Sequence, residues 1–263
     1  MATLLQTPRP GADADPAAPA RTLRVRRHRR GDSAEGWDRY TAPVGPRTTV
    51  LDALTWVRAH LDASLNLRHS CLHASCGTCG MRVNGRDVLA CVTRLEDLPP
   101  GEVSVEPLRN QPLVSDLVVD IESLYESLDG VRLPLVRTSE GAPGSTPAEG
   151  VGHLTRFEDC VECGLCVSAC PIVASDPEYA GPAVLGAAWR LVDEPRDRDP
   201  EPAYALVDGE QGAWRCHLAF ECNEACPTDA LPAEEIARLR GILLRHRVVR
   251  WLQRHARPEE VQP

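Results

Sequence analysis

Eleven cysteines in a chain of 263 residues fall into three spaced groups with none left over, and that spacing constrains the fold more than any other feature. The first group is Cys71, Cys76, Cys79 and Cys91; the second is Cys160, Cys163, Cys166 and Cys170; the third is Cys216, Cys222 and Cys226. Cys71-x4-Cys76-x2-Cys79 with a distant fourth cysteine is the plant-type 2Fe-2S spacing. Cys160-x2-Cys163-x2-Cys166-x3-Cys170-Pro171 is the run that holds cubane clusters, in which the fourth cysteine ligates the neighbouring cluster. Two kinds of iron–sulfur cluster are therefore expected.

Disulfides are the bland alternative. A chain of this length has core enough to do without staples, and no secretory signal precedes the cysteines, so cluster ligation is the better reading. Zinc fits the number of cysteines but not runs that end in Pro171 and Pro227. Gly77 and Gly80 are expected to let the first loop fold tightly and turn N–H groups toward sulfur. His69 and His73 flank or sit within that loop but are not expected to ligate, because four cysteines already suffice and a Rieske site replaces two of them by histidine.

The ligand swap between neighbouring clusters gives an assignment. Cys160, Cys163 and Cys166 combine with Cys226 in a 4Fe-4S site, leaving Cys170, Cys216 and Cys222. Three thiolates are one short of a cubane's need, so that set is expected to hold 3Fe-4S. The net charge of −9 argues against a nucleic-acid surface. No apolar run reaches the ~18 residues that a membrane-spanning helix needs. All 29 basic side chains are arginine, which reads as coding bias rather than chemistry.

Along the chain, residues 1–21 are rich in Pro, Ala and Asp and are expected to be a disordered tail. Segments 22–30 and 38–44 read as a strand hairpin, and 49–61 as a helix capped by Thr48 or Thr49 with Val50, Leu51, Leu54, Val57 and Leu61 inward. Asn84-Gly85 marks a second hairpin that returns Cys91 to the cysteine loop. Residues 103–108 complete the sheet, and 116–128 read as an amphipathic helix. The order suits a β-grasp 2Fe-2S ferredoxin domain over 22–130. Gly, Pro, Ser and Thr make 131–152 the linker. Helical periodicity in PAVLGAAWRLVD and EEIARLRGILLRHRVVRWLQ points to an all-helical ferredoxin domain over 153–250, with two cubane-type clusters and a tail at 251–263. The fold class is α+β.

The segments HSCLHASCGTCGMRVNG with Cys91, VEPLRNQPLVSDLVVD, CVECGLCVSACP and CHLAFECNEACP closely resemble the iron–sulfur subunit of succinate dehydrogenase and fumarate reductase, over about residues 22 to 250. The resemblance implies an electron wire of 2Fe-2S, 4Fe-4S and 3Fe-4S clusters between a partner flavoprotein carrying FAD and a membrane quinone. It implies a peripheral place on the cytoplasmic side of the bacterial cell membrane, held by anchor subunits. Catalytic residues belong to the flavoprotein, and none is expected here. Many ubiquinone-reducing members carry tryptophan soon after the Cys-Pro that ends the first ferredoxin run. This chain reads CPIVASDPEYAGPA there, which resembles the menaquinone-linked branch, and Trp189 is expected to pack in the core. Pro171, His217 and Arg240 are the candidate quinone residues. For His217 a hydrogen bond beside a cluster ligand is the competing reading, and for Arg240 a solvated helix surface. A soluble relay from another flavoprotein to a non-quinone acceptor is the alternative function, disfavoured by the absence of CCG modules.

Overall fold

The structure is a computed structural model and describes residues 19–28, 36–131, 159–192 and 201–255. The expected 131–152 linker lies almost wholly outside the described residues, as do most of the expected tails.

Strands β1 (Ala20–Arg27), β2 (Gly36–Pro43), β3 (Gly80–Val83), β4 (Arg86–Leu89) and β5 (Val103–Glu106) form one sheet in the order β2-β1-β5-β3-β4. The β1–β5 pair is parallel and the others are antiparallel. Helix α1 (Val50–His60) lies on this sheet and buries Val50, Leu51, Ala53, Leu54 and Val57. Its start is the expected one: Thr49 accepts from the Asp52 N–H, and the Asp52 carboxylate accepts from the Thr49 N–H, a reciprocal capping box. The β3–β4 turn also follows expectation, since Asn84 (φ 49°) and Gly85 (φ 79°) both take the left-handed conformations that a two-residue hairpin loop demands.

Period-two alternation along β1 sends Leu23, Val25 and Arg27 inward. Arg27 is only 6 % exposed, and a guanidinium there is tolerable only with partners. Asp116 and Ser64 accept from it at 3.0 Å, and Asp62, Asp38 and Tyr40 complete the shell. This network delays the helix expected over 116–128, of which residues 116–121 are not helical. The Asp116 carboxylate, fully buried, also accepts from the backbone N–H groups of His28 and Asn66. Those bonds hold Asp116 at φ 47°, and the chain forms a small hairpin of β6 (Leu113–Ser115) and β7 (Val118–Val119) before α2 (Glu122–Gly130) begins.

The remainder is helical: α3 (Leu165–Ala169), α4 (Pro171–Ser175), α5 (Gly181–Val192), α6 (Glu201–Val207), α7 (Glu221–Glu224) and α8 (Pro232–His255). Its core joins Trp189 and Leu185 of α5 to Ile236, Leu239 and Leu243 of α8. Leu124 and Leu128 of α2 enter that same cluster, so α2 packs with the helical half. Helix α8 runs to His255, five residues into the segment expected as a tail. Trp189 is 1 % exposed, in the core as expected.

The halves are joined through Arg109-Asn110. The Ser168 hydroxyl accepts from the Arg109 N–H at 2.8 Å and donates to Asp87, while the Asn110 amide donates to the carbonyls of Val167, Ser168 and Cys170 at 2.9–3.1 Å. Asn110 thus satisfies carbonyls that the short helix α3 leaves open at its end.

Candidate cluster-binding sites

All eleven cysteines lie within the described residues and all are free thiols. Between α1 and β3 the chain wraps a tight loop with Leu72, Ala74 and Gly77 in left-handed conformations. Backbone N–H groups consequently turn inward onto sulfur. His73 and Ser75 donate to Cys71 Sγ at 3.5 and 3.2 Å, Cys71 to Cys76 Sγ at 3.4 Å, and Ala74 to Cys91 Sγ at 3.3 Å. These donors come from residues 71–75; Gly80 serves instead as a place of close approach, where an added Cβ would stand 3.3 Å from the Cys163 carbonyl. Cys79 and Cys91 are buried under the sheet. The Thr78 hydroxyl lies 3.2 Å from Cys76 Sγ, and with the Cys71 N–H it draws that thiol down to about 6. Burial acts oppositely on Cys79, pushing it up to about 12. His69 contacts Arg58 and His73 contacts the Cys71 carbonyl, so both rings are engaged away from sulfur.

In the helical half the thiols fall into two neighbourhoods. Burial raises Cys160, Cys163 and Cys166, with Cys163 reaching about 11, and mutual repulsion among these three and Cys226 raises them further. Burial likewise raises Cys170 and takes Cys222 to about 12, with repulsion among Cys170, Cys216 and Cys222 adding to it. Cys166 also feels Cys222, so the two neighbourhoods adjoin. Donors reach sulfur here too: Leu218 N–H to Cys216 at 3.3 Å, and Ala230 N–H to Cys226 at 3.3 Å with the Thr228 hydroxyl at 3.6 Å, while backbone N–H groups of Glu162, Leu165, Val173 and Asn223 oppose burial at Cys160, Cys163, Cys170 and Cys222.

The first site touches the second through a glycine. At Gly77 (φ +72°) an added Cβ would stand 2.8 Å from Cys163 Cβ and from the Val161 carbonyl oxygen. The loop of Cys76 therefore lies in van der Waals contact with a thiol of the helical half.

The residues present fit iron–sulfur clusters. The donors are thiols alone, and backbone N–H groups already point at several of the sulfurs. Among the described residues no three His, Cys, Asp or Glu side chains gather closely enough to hold a single metal ion.

Of the other candidates, Pro171 and His217 line a small open cavity together with Cys170, Tyr179, Cys216 and Cys222. His217 is exposed. Arg240 does not line it: its guanidinium donates to the Ala213 carbonyl at 2.8 Å and to the Cys216 carbonyl. It is half-buried rather than solvated, and it ties α8 to the segment carrying Cys216. Tyr179, buried in the same cavity, was not among the sequence candidates; only its place in DPEYAGPA, nine residues after Cys170, hinted at it.

Residues 22–126 match the family described as 2Fe-2S iron-sulfur cluster binding domain, and residues 156–230 match the 4Fe-4S dicluster domain. The chain is 39 % identical over 226 residues to the fumarate reductase iron-sulfur subunit of Mycobacterium tuberculosis, covering 84 % of this chain and 91 % of that one. It is 35 % identical over 210 residues to the 8-methylmenaquinol:fumarate reductase iron-sulfur subunit of Wolinella succinogenes, covering 75 % of this chain and 64 % of that one. A chain of the Mycobacterium smegmatis Sdh1 complex in the apo form superposes with a TM-score of 0.78 at 27 % identity, over 88 % of this chain and 98 % of its own length.

Proposed function

The chain belongs to the family of iron–sulfur subunits of fumarate reductase and succinate dehydrogenase, and from that premise we propose a ligand assignment, a direction along the chain and a quinone. It is the electron-transfer subunit of such a complex, working with a flavoprotein and other subunits. Cys71, Cys76, Cys79 and Cys91 hold 2Fe-2S; Cys160, Cys163, Cys166 and Cys226 hold 4Fe-4S; Cys170, Cys216 and Cys222 hold 3Fe-4S. When bound, the clusters supply one-electron carriers that join a two-electron flavin to a quinone.

The observation that carries this reading is the serial placement of the three thiol sets. Gly77 brings the first loop against Cys163, and Cys166 adjoins Cys222. The protein's part is to keep these sets close and dry. The Asn110 amide holds the carbonyl of Cys170, Arg240 holds that of Cys216, and the helical core packs around Cys166 and Cys170. The 2Fe-2S end faces the flavoprotein and FAD, and the cavity beside Pro171 and His217 faces the membrane anchor and quinone. Among the described residues no helix is long and apolar enough to cross a membrane, so attachment to the cytoplasmic face falls to the anchor subunits.

The quinone is a menaquinone. Residues 172–175, after Cys170-Pro171, are Ile, Val, Ala and Ser, and Trp189 is committed to the core, so this chain offers the head group no indole wall or N–H there. The name of the Wolinella relative, which includes a menaquinol, points the same way. Steady-state turnover of the purified complex with both quinone classes tests it. Equal or better specificity for ubiquinone rejects the menaquinone assignment and leaves the wire intact. The cluster assignment predicts about nine irons per chain in anaerobically purified complex and a 3Fe-4S paramagnetic signal in the oxidised state; four irons, or zinc instead, reject it.

A further inference from the structure

Tyr179 precedes α5 and is 4 % exposed. Its ring lines the cavity shared by Cys170, Cys216 and Cys222, and its hydroxyl oxygen is buried without a hydrogen-bond partner at full geometry. Leaving a buried hydroxyl unsatisfied is destabilising, a penalty that phenylalanine would not carry at the same position. The titratable neighbours of the phenol are those three thiols, Cys216 foremost, with which its hydroxyl also has a side-chain hydrogen-bonding interaction. His217 and Glu221 also line the cavity, but both are exposed and neither bonds to the hydroxyl.

We propose that the Tyr179 O–H donates a hydrogen bond to sulfur, thiolate or sulfide, of the cluster held by Cys170, Cys216 and Cys222, and thereby holds its reduction potential up. The inference rests on reading that set as a 3Fe-4S site. An added electron increases the negative charge on sulfur, so a donor aimed there favours the reduced form. The backbone already serves these sulfurs, with the Leu218 N–H on Cys216 at 3.3 Å, the Ile172 and Val173 N–H groups on Cys170 and the Asn223 N–H on Cys222, and the phenol adds a side-chain donor to that shell.

The test is Tyr179→Phe in the intact complex, which removes one oxygen and keeps the ring. A redox titration followed by the paramagnetic signal of the oxidised 3Fe-4S cluster should show reduction three- to tenfold less favourable, tenfold being ~59 mV for a one-electron couple. The 2Fe-2S and 4Fe-4S midpoints should stay in place. After exchange into deuterated water, electron–nuclear double resonance should lose one exchangeable coupling at that cluster. An unchanged midpoint and an unchanged coupling in a fully loaded variant overturn the proposal alone. Absence of any 3Fe-4S signal in the unsubstituted complex overturns the cluster reading, and the proposal with it. If the variant assembles without this cluster, 3-fluorotyrosine at position 179 provides a stronger donor: the potential should rise, and a potential that does not rise rejects the hydrogen bond.

Discussion

The two halves present their sulfurs in opposite ways. The loop after α1 spends its backbone on them: four N–H groups point at Cys71, Cys76 and Cys91, and the Thr78 hydroxyl helps bring Cys76 down to about 6. The helical half spends burial, which lifts Cys163 to about 11 and Cys222 to about 12. Negative charge on sulfur is stabilised by dipoles at Cys76 and penalised by desolvation in the helical half, as it also is at Cys79. The lesson concerns assembly as well as potential. At neutral pH the buried thiols of the helical half hold their protons until metal arrives, so filling those sites releases protons more than filling the Cys76 position does.

The largest effects should come from breaking the ligand sets themselves. Cys226→Ser should remove the 4Fe-4S cluster although its nearest cysteine in sequence, Cys222, is assigned to the other set, and Cys170→Ser should remove the 3Fe-4S cluster. Iron analysis and paramagnetic resonance of the two variants read the outcome. The opposite pairing of losses means that the two neighbourhoods have been wrongly assigned.

Next comes the charge network peculiar to the first half. Burial disfavours the Arg27 guanidinium, but hydrogen bonds to Asp62 and Asp116 outweigh it and raise its pKa. Arg27→Met leaves the Asp116 carboxylate buried without its cation and should cost ~3–5 kcal/mol. Denaturant unfolding followed at the 2Fe-2S chromophore measures it, and the helical clusters should be lost at a higher concentration. Tyr40, raised by burial and by its hydrogen bond to Asp62, adds a pH signature. Because its folded pKa lies above the unfolded value of ~10, its contribution is fully present below that pH and is lost as pH rises from there through the folded pKa. Tyr40→Phe should remove the alkaline loss.

What the sequence made legible, and what it hid, follows the same division. Thr49 announced α1 and Asn84-Gly85 announced the β3–β4 turn, because each signal is local and depends on a few neighbouring residues. Arg27 hid because alternation marks an inward position without naming the partners that would let an arginine occupy it. The helix expected over 116–128 begins six residues late, at Glu122, for the same reason. Its apolar spacing is real, but the Asp116 carboxylate is bound by His28 and Asn66 from distant segments, and that tertiary demand overrides propensity. Asn110 and Tyr179 were also out of reach, since their roles depend on carbonyls and thiols some sixty residues away for the first and up to about forty for the second.

The junction between the halves should respond more weakly. Gly77→Ala places a Cβ at a positive φ, which costs ~1–2 kcal/mol, and sets it 2.8 Å from Cys163 Cβ and the Val161 carbonyl. Both clusters should still assemble, but the loops must separate, so reduced 2Fe-2S should accumulate in rapid-freeze samples during turnover. Unchanged accumulation means that electrons pass between the halves by a route that does not depend on this contact.

The smallest effect isolates one donor in the first half. Thr78→Val keeps the side-chain volume and removes the hydroxyl 3.2 Å from Cys76 Sγ, the foremost cause of that thiol's low pKa of about 6. In protein stripped of clusters, the pH profile of Cys76 alkylation should move upward toward the ordinary thiol range of ~8.5. In the loaded complex, the 2Fe-2S midpoint should fall by about 30 mV, a threefold shift on the scale where tenfold is ~59 mV. The fall should be smaller than that produced by Tyr179→Phe at the third site, because four backbone N–H groups remain around the first. A larger fall at the first site than at the third would reverse the contrast, making a side-chain hydroxyl rather than the backbone the main support of charge on the loop.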